Sequence, residues 1–286
     1  MNTIQLIING LGTGAFYASI AVGFSLVWGV LNVINMVHGS LVVLGAFLGF
    51  FFWKITGLNP VFSVPFVAVS TFLIGATLQS VFINKVVSAP VLTTLTLTFG
   101  LDLILYNVMT VYFTASIRRV TTSYGNIDLG SAVVPIDRLY VAIFALLITG
   151  ILYLVLRMTS IGRAIVAVRM DKTAAALMGI WVKSVYAITF GIGAMMAGVA
   201  GAVSTLIYPV TTGLSGAFLL KAFIVCVIGG LGSIPGALFG GLLLGVIESF
   251  AGYAIGPQNS LTLALAIMLF VLLVKPTGLM GVKGFD

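Results

Sequence analysis

Charge is scarce in this chain. Its 286 residues include 13 Lys and Arg and 6 Asp and Glu, 7% charged, where a soluble domain carries about 25%. A water-soluble globule is excluded on that ground. Cysteine and histidine occur once each, as Cys226 and His38. That rules out an intrachain disulfide, a cysteine-based metal site and a His-rich metal centre. Also missing are a Walker A loop, the G-x-S-x-G elbow, the H-E-x-x-H zinc motif and a dinucleotide fingerprint. The chain therefore has no P-loop of its own for ATP. Nor is an enzyme site readable, because hydrolysis needs a nucleophile, a base and an orienting group within reach of one another. The first residues lack a basic segment and a small-residue cleavage pattern. They are expected to open the first membrane segment rather than a signal peptide.

What the chain has instead is apolar length. It is 60% hydrophobic, with a mean hydropathy of +1.25. Apolar runs cover about 4–31, 40–53, 61–83, 91–113, 139–156 and 184–208, then a stretch ending at 228, then 237–255 and 261–274. About 20 such residues cross the hydrocarbon layer. The pattern predicts an all-α polytopic membrane protein of roughly eight or nine transmembrane helices with glycine-rich breaks, forming one domain over 1–286. The net charge of +7 is no nucleic-acid footprint, since the cations lie mostly between apolar runs, where the positive-inside rule places them.

Five cations, Arg157, Arg163, Arg169, Lys172 and Lys183, crowd into residues 157–183, opposed only by Asp171. Placing that loop in the cytoplasm also puts Lys85, Lys275 and Lys283 there. The count is then eight cations inside against five elsewhere (Lys54, Arg118, Arg119, Arg138, Lys221), with the C-terminus cytoplasmic. The polar stretch 114–138, which includes Ser123, Asp128, Gly130 and Asp137, falls on the opposite face. The side of the N-terminus stays open, because each re-entrant break would flip the parity. Within the basic loop, Asp171 is placed to cap a short helix over 172–178 and Gly179 to stop it. Two turns do not hold alone in water, so this helix needs a surface for its apolar residues Ala174, Ala175, Ala176, Leu177 and Met178. It reads either as an ordinary basic loop or as a contact helix that receives force from a cytoplasmic partner.

Two breaks interrupt the apolar runs. One holds Asn32, Asn35, His38 and Gly39; the other runs over 229–236 with Gly230, Gly232 and Ser233. Both read either as interfacial turns or as discontinuous helices whose freed backbone groups face a substrate. On the second reading Asn35, His38, Gly230 and Ser233 line a translocation pathway. Asp102, Lys221 and Glu248 sit inside apolar runs, where a charge costs about 2.5–3.5 kcal/mol unless it meets a cavity or a partner. Asp102 and Lys221 are candidates for meeting the charged ends of a substrate, and a Lys221–Glu248 pair between helices is the alternative. Six G-x-x-x-G spacings occur (Gly10/Gly14, Gly45/Gly49, Gly232/Gly236, Gly236/Gly240, Gly241/Gly245, Gly252/Gly256), but among 34 glycines they carry little weight for helix packing.

These residues together resemble the permease subunit of branched-chain amino acid ABC importers, the LivH/LivM-type family. The similarity runs through Asn9, Gly10, Gly12, Tyr17, Asn35, His38, Gly39, Leu44 and Gly45. It continues in Gly162, Arg163, Asp171, Ala174, Ala175, Leu177, Met178, Gly179 and Ile180. It is strongest in Lys221, Ala222, Phe223, Gly229 to Ala237, Gly240 and Gly241, and it closes on Lys275, Pro276 and Gly278. The resemblance implies one of two membrane subunits in a bacterial inner membrane, a homo- or heterodimer. It would be served by two cytoplasmic ABC ATPases and a periplasmic binding protein. No cofactor is expected on this chain, with ATP and Mg on the ATPases, and no nucleic acid. Arg163, Arg169, Asp171, Ala174, Ala175, Leu177, Met178 and Gly179 would form the coupling element seated in the ATPase, and 114–138 would face the binding protein. The pathway would carry a branched-chain or other amino acid, or a urea- or amide-like solute, by alternating access. Three departures stand out. Ser40 replaces the acidic residue that commonly follows His-Gly, Lys85 stands alone where several Arg are usual, and Asp102 occupies a position that is often uncharged. The alternative is a stand-alone channel or secondary transporter for a small polar solute.

Overall fold

The computed structural model describes residues 3–121, 125–128 and 133–281. Lys283, and Ser123 and Gly130 of the polar stretch, lie outside the described residues. Eleven α-helices follow in order: α1 Thr3–Leu31, α2 His38–Thr56, α3 Val64–Val81, α4 Val91–Phe113, α5 Ile136–Met158, α6 Ser160–Met170, α7 Lys172–Leu177, α8 Val182–Ser204, α9 Ser215–Gly229, α10 Ile234–Ile255 and α11 Pro257–Val274. Among the described residues, nine helical segments are long and apolar enough to cross a membrane, every helix but α6 and α7. The chain is a multi-pass, all-α membrane protein.

Helix α1 is the axle. It carries no charged residue, and 94% of its apolar window is buried, as expected of a helix that is hydrophobic all round. It packs against α5, α8, α9 and α10. Glycines set the closeness of these contacts. A Cβ on Gly14 would stand 2.8 Å from the Gly241 carbonyl and 2.9 Å from Leu242 Cα, and one on Gly49 would stand 3.1 Å from Ala202 Cα. Gly10 and Gly14 face Gly245 and Gly241 across the α1–α10 seam, and Gly45 meets Gly198 of α8. Gly236 and Gly240 likewise lie on Gly229 and Val225 of α9, so four of the six G-x-x-x-G pairs do bring helices together, a correction to the small weight the spacing alone carried. Gly252 of another pair meets nothing closer than 4.0 Å.

The amino end of α1 is fixed by polar contacts. Gln5 bonds Val133 through N–H and C=O at 2.7 Å each, and Arg138 donates to Asn9 at 2.8 Å. The N-terminal end of α1 thus shares a face with the loop between α4 and α5, which carries a two-stranded antiparallel hairpin, β1 Asn126–Asp128 with β2 Val133–Pro135. Whichever side that loop faces, the amino end of α1 lies on the same one. The other end of α1, near Gly29, meets Gly232 and Arg169 on the opposite, basic face.

Candidate functional site

The basic face is built from a helical corner: the short helix expected after Asp171 is α7, and a further helix, α6, stands before it where the sequence pattern reads as loop. Thr159 caps α6 by accepting from Gly162 N–H at 3.0 Å. Along α6, Gly162, Ile165 and Val168 are buried while Arg163 is exposed. Asp171 then caps α7, accepting from Thr173 and Ala174 N–H at 2.7 and 3.0 Å. Gly179, at φ +84°, closes it, with Gly179 N–H on Ala176 C=O and Ile180 N–H on Ala175 C=O. Only Ala175 of α7 is buried against its own chain. Ala174 points outward, and Leu177, Met178 and Trp181 are 85%, 83% and 82% exposed. Trp181 had not been singled out, since nothing in its local sequence says which way it points. Arg169 differs from its neighbours: it turns in toward Gly232 and is half-buried, not part of the exposed surface. Burial there lowers the pKa of its guanidinium.

The first break is re-entrant. From Asn32 (φ +54°) the chain doubles back beside α1 until His38, whose Nε2 lies 2.9 Å from the Ile20 carbonyl. Ile20 stands eleven residues before Leu31 (31 − 20), so α2 begins about 16 Å inside the end of α1. Asn35 and His38 are fully buried, and the Asn35 carboxamide and His38 Nδ1 have no hydrogen-bond partner among the described residues. Thr98 of α4 holds the segment through the Ile34 carbonyl at 2.8 Å. Helix α9 begins in the same region, its Ser215 carbonyl packed on Gly39. From there α2 runs toward the loop face and α9 toward the basic face, so two helix amino ends, with their partial positive charge, meet inside the protein. Beside them lies an apolar cavity of about 380 Å³ lined by Phe24, Ile34, Met36, Leu219, Leu220 and Phe223, among others.

Asp102 of α4 accepts from Ser40 Oγ of α2 at 2.5 Å. Ser40 and Asp102, which read separately in the sequence, are therefore one contact between α2 and α4. Removing the hydroxyl with Ser40→Ala should destabilise the protein by about 1.5 kcal/mol, as for a hydrogen bond to a charged group. The exchange Ser40→Asp with Asp102→Ser should restore wild-type melting in detergent, and a swapped protein no more stable than Ser40→Ala would refute this pairing.

Lys221 of α9 and Glu248 of α10 form an ion pair of 2.8 Å. The Lys221 ammonium also donates to the Tyr17 hydroxyl and lies 4.3 Å from that ring's centre. Tyr17 sits fourteen residues from either end of α1 (17 − 3 and 31 − 17), so the pair is midway along it. Around it opens a polar cleft of about 610 Å³ whose wall includes Asn9, Arg138, Tyr208 and Ser260. This cleft lies on a different side of α9 from the cavity lined by Leu219, Leu220 and Phe223.

The second break is a turn at the basic face. Gly230 and Gly232 take φ +109° and +77°, and Ser233 caps α10 by accepting from Gly236 N–H at 3.1 Å. The segment after α11 covers this turn, with Leu279 and Met280 N–H on the Ile228 and Gly229 carbonyls, both 2.9 Å. Gly230 is thus buried under the tail, and the candidates Asn35, His38, Asp102, Lys221, Gly230 and Ser233 occupy four separate places, not one.

The branched-chain amino acid transport system permease component family matches residues 6–274 of this chain. The permease protein BraD of a high-affinity branched-chain amino acid transport system of Pseudomonas aeruginosa is 30% identical, over 97% of this chain and 95% of its own length. LivH of Escherichia coli K12 is likewise 30% identical over 97% and 95%. A probable LivH of Methanocaldococcus jannaschii is 27% identical over 92% and 88%. No solved structure matches the chain. A bundle of nine apolar spans, matched along almost its whole length, makes this chain a member of the branched-chain amino acid transport permease family, a membrane-spanning permease component of a transport system.

Proposed function

We propose that the chain is the inner-membrane translocating subunit of an ATP-driven importer for amino acids with branched aliphatic side chains. The observation that carries the substrate class is the apolar cavity beside the meeting amino ends of α2 and α9. An aliphatic side chain fits its lining, and a carboxylate suits the positive ends of two helices at membrane depth. The cavity opens at the surface of this chain, and a second permease subunit completes it. Asn35 and His38 belong to this junction.

On this reading the basic face is cytoplasmic, together with the C-terminal end, and α7 is where ATPase movement enters. Leu177, Met178 and Trp181 form an exposed apolar knob on a polar surface, the kind of patch that marks a protein contact. Two partner ATPases carry ATP and Mg, and this chain carries no cofactor. Their closure tilts the bundle as a rigid body between inward- and outward-open states. The loop between α4 and α5 meets a periplasmic binding protein on the other face.

The test is co-purification. Leu177→Arg places a charge on the knob without touching the bundle, so the variant should insert and melt like wild type but recover at least about tenfold less ATPase, as for loss of an apolar anchor. Undiminished recovery would refute the docking role. Uptake by the purified chain in liposomes without ATP would favour a stand-alone channel or secondary transporter instead.

A further inference from the structure

On the basic face a cleft of about 410 Å³ lies between the ends of α1 and α5, helix α6 and the start of α10. Its charged members are Arg157 and Arg169. Arg157 is exposed, and among the described residues its guanidinium meets only Tyr153, the hydroxyl at 3.2 Å and the ring beneath it. Arg169 is half-buried and makes no hydrogen bond or ion pair among the described residues. No carboxylate lines the cleft, and Asp171, two residues after Arg169, is engaged in capping α7. The amino end of α10 adds positive potential at the same place. Two cations beside a mostly apolar cleft with no acidic partner among the described residues call for an anion.

The rest of the cleft says which kind of anion. Its lining is mostly apolar, and it shares Tyr153, Ile234 and Pro235 with a second groove of about 370 Å³ that continues between α5 and α10 past Gly150 and Leu146. From Tyr153 to Leu146 is seven residues, about 10 Å along the helix, away from the basic face. Leu146 and Tyr153 are 45% and 44% exposed, so the groove is open sideways to the bilayer. A positive head end joined to an apolar lane along the membrane has the shape of a lipid.

We propose that this cleft binds an anionic phospholipid, its phosphate between Arg157 and Arg169 and an acyl chain in the lane between α5 and α10. Basic pockets between helices near the cytoplasmic leaflet suit such headgroups. Because α6 leads straight into α7, the lipid would tie the α6–α7 corner to the bundle. The proposal does not depend on which solute is carried.

The test is thermal stabilisation of the full chain in detergent, titrated with phosphatidylglycerol, phosphatidylcholine or inorganic phosphate. Phosphatidylglycerol should raise the melting temperature saturably, phosphatidylcholine should not, and phosphate alone should give little. Arg157→Gln with Arg169→Gln should weaken the phosphatidylglycerol midpoint by at least about tenfold. Gly150→Trp, placed where no atom lies within 4 Å of a Cβ, should block the lane and weaken it as well. Equal responses to the two lipids would overturn the site, and this arm needs no variant. So would a full response to phosphate alone, which indicates a free-anion site. An unchanged response in the double arginine variant, or loss of the ATPase without any change in lipid response, would assign the arginines elsewhere.

Discussion

Lys221→Met should cost the protein about 3 kcal/mol, because it leaves the Glu248 carboxylate in a membrane-depth cleft without its counter-ion. The two side chains are 17% and 16% exposed, so neither is well hydrated when alone. The loss extends beyond one contact. The ammonium also holds the Tyr17 hydroxyl, and it joins α9 to α10 and to the middle of α1. Glu248→Gln should be milder, since an amide still accepts from Lys221 and from Ser260. The double change Lys221→Met with Glu248→Met should recover most of the lost stability, because replacing a buried pair by apolar groups of similar size is often neutral. With the single change Glu248→Met added, the stabilities of wild type, the two single methionine variants and the double variant form a double-mutant cycle. A coupling energy near zero would mean that the pair is incidental. Recovery of melting together with amino acid uptake would make the pair a brace, and recovery of melting alone would place it on the solute's route.

Gly45→Leu should be worse. A Cβ at that position runs into the backbone of Gly198 on α8, and backbone cannot rotate away as a side chain can. Either the α2–α8 pair separates or the new side chain stays strained, at about 3 kcal/mol or more. Gly14→Leu should behave alike against Gly241 and Leu242. In both cases the expected result is aggregated material on size exclusion in detergent instead of a single peak. The control is Gly100→Leu on α4, where nothing lies within 4 Å of a Cβ. It should fold normally and even gain from leucine's better helix propensity. A well-behaved Gly45→Leu protein would show that close approach at Gly45 does not hold α2 to α8.

The residues that were legible in sequence are those whose signal is local. Apolar runs of membrane-spanning length mark the spans, since each must satisfy its own backbone hydrogen bonds in lipid. Asp171 and Gly179 mark the ends of α7 because caps are set by neighbours two or three residues away. The pairing of Lys221 with Glu248 could be named as a possibility because so few charges were present to choose from.

Other features depend on partners far away in the chain. Of six identical glycine spacings, those that pack helix on helix are picked out by what stands opposite: Gly241 and Gly245 for Gly14 and Gly10, Gly198 for Gly45, Gly229 and Val225 for Gly236 and Gly240. Ser40 and Asp102, 62 positions apart, had read as two separate departures until the helices carrying them were side by side. The break after Leu31 carries the same residues whether it is a surface turn or a re-entrant segment, and only the contact of His38 with Ile20 fixes it as the latter. Arg169 looks like its neighbours in sequence and is turned inward by the way α6 lies on α1 and α5. Composition and local pattern thus determined that this chain is a multi-pass membrane protein of roughly eight or nine apolar spans and where the short helix α7 begins and ends, because insertion and capping are local energies. Which glycines touch, which charges meet and where cavities open were decided only by tertiary packing, because close approach between helices depends on what each presents to the other.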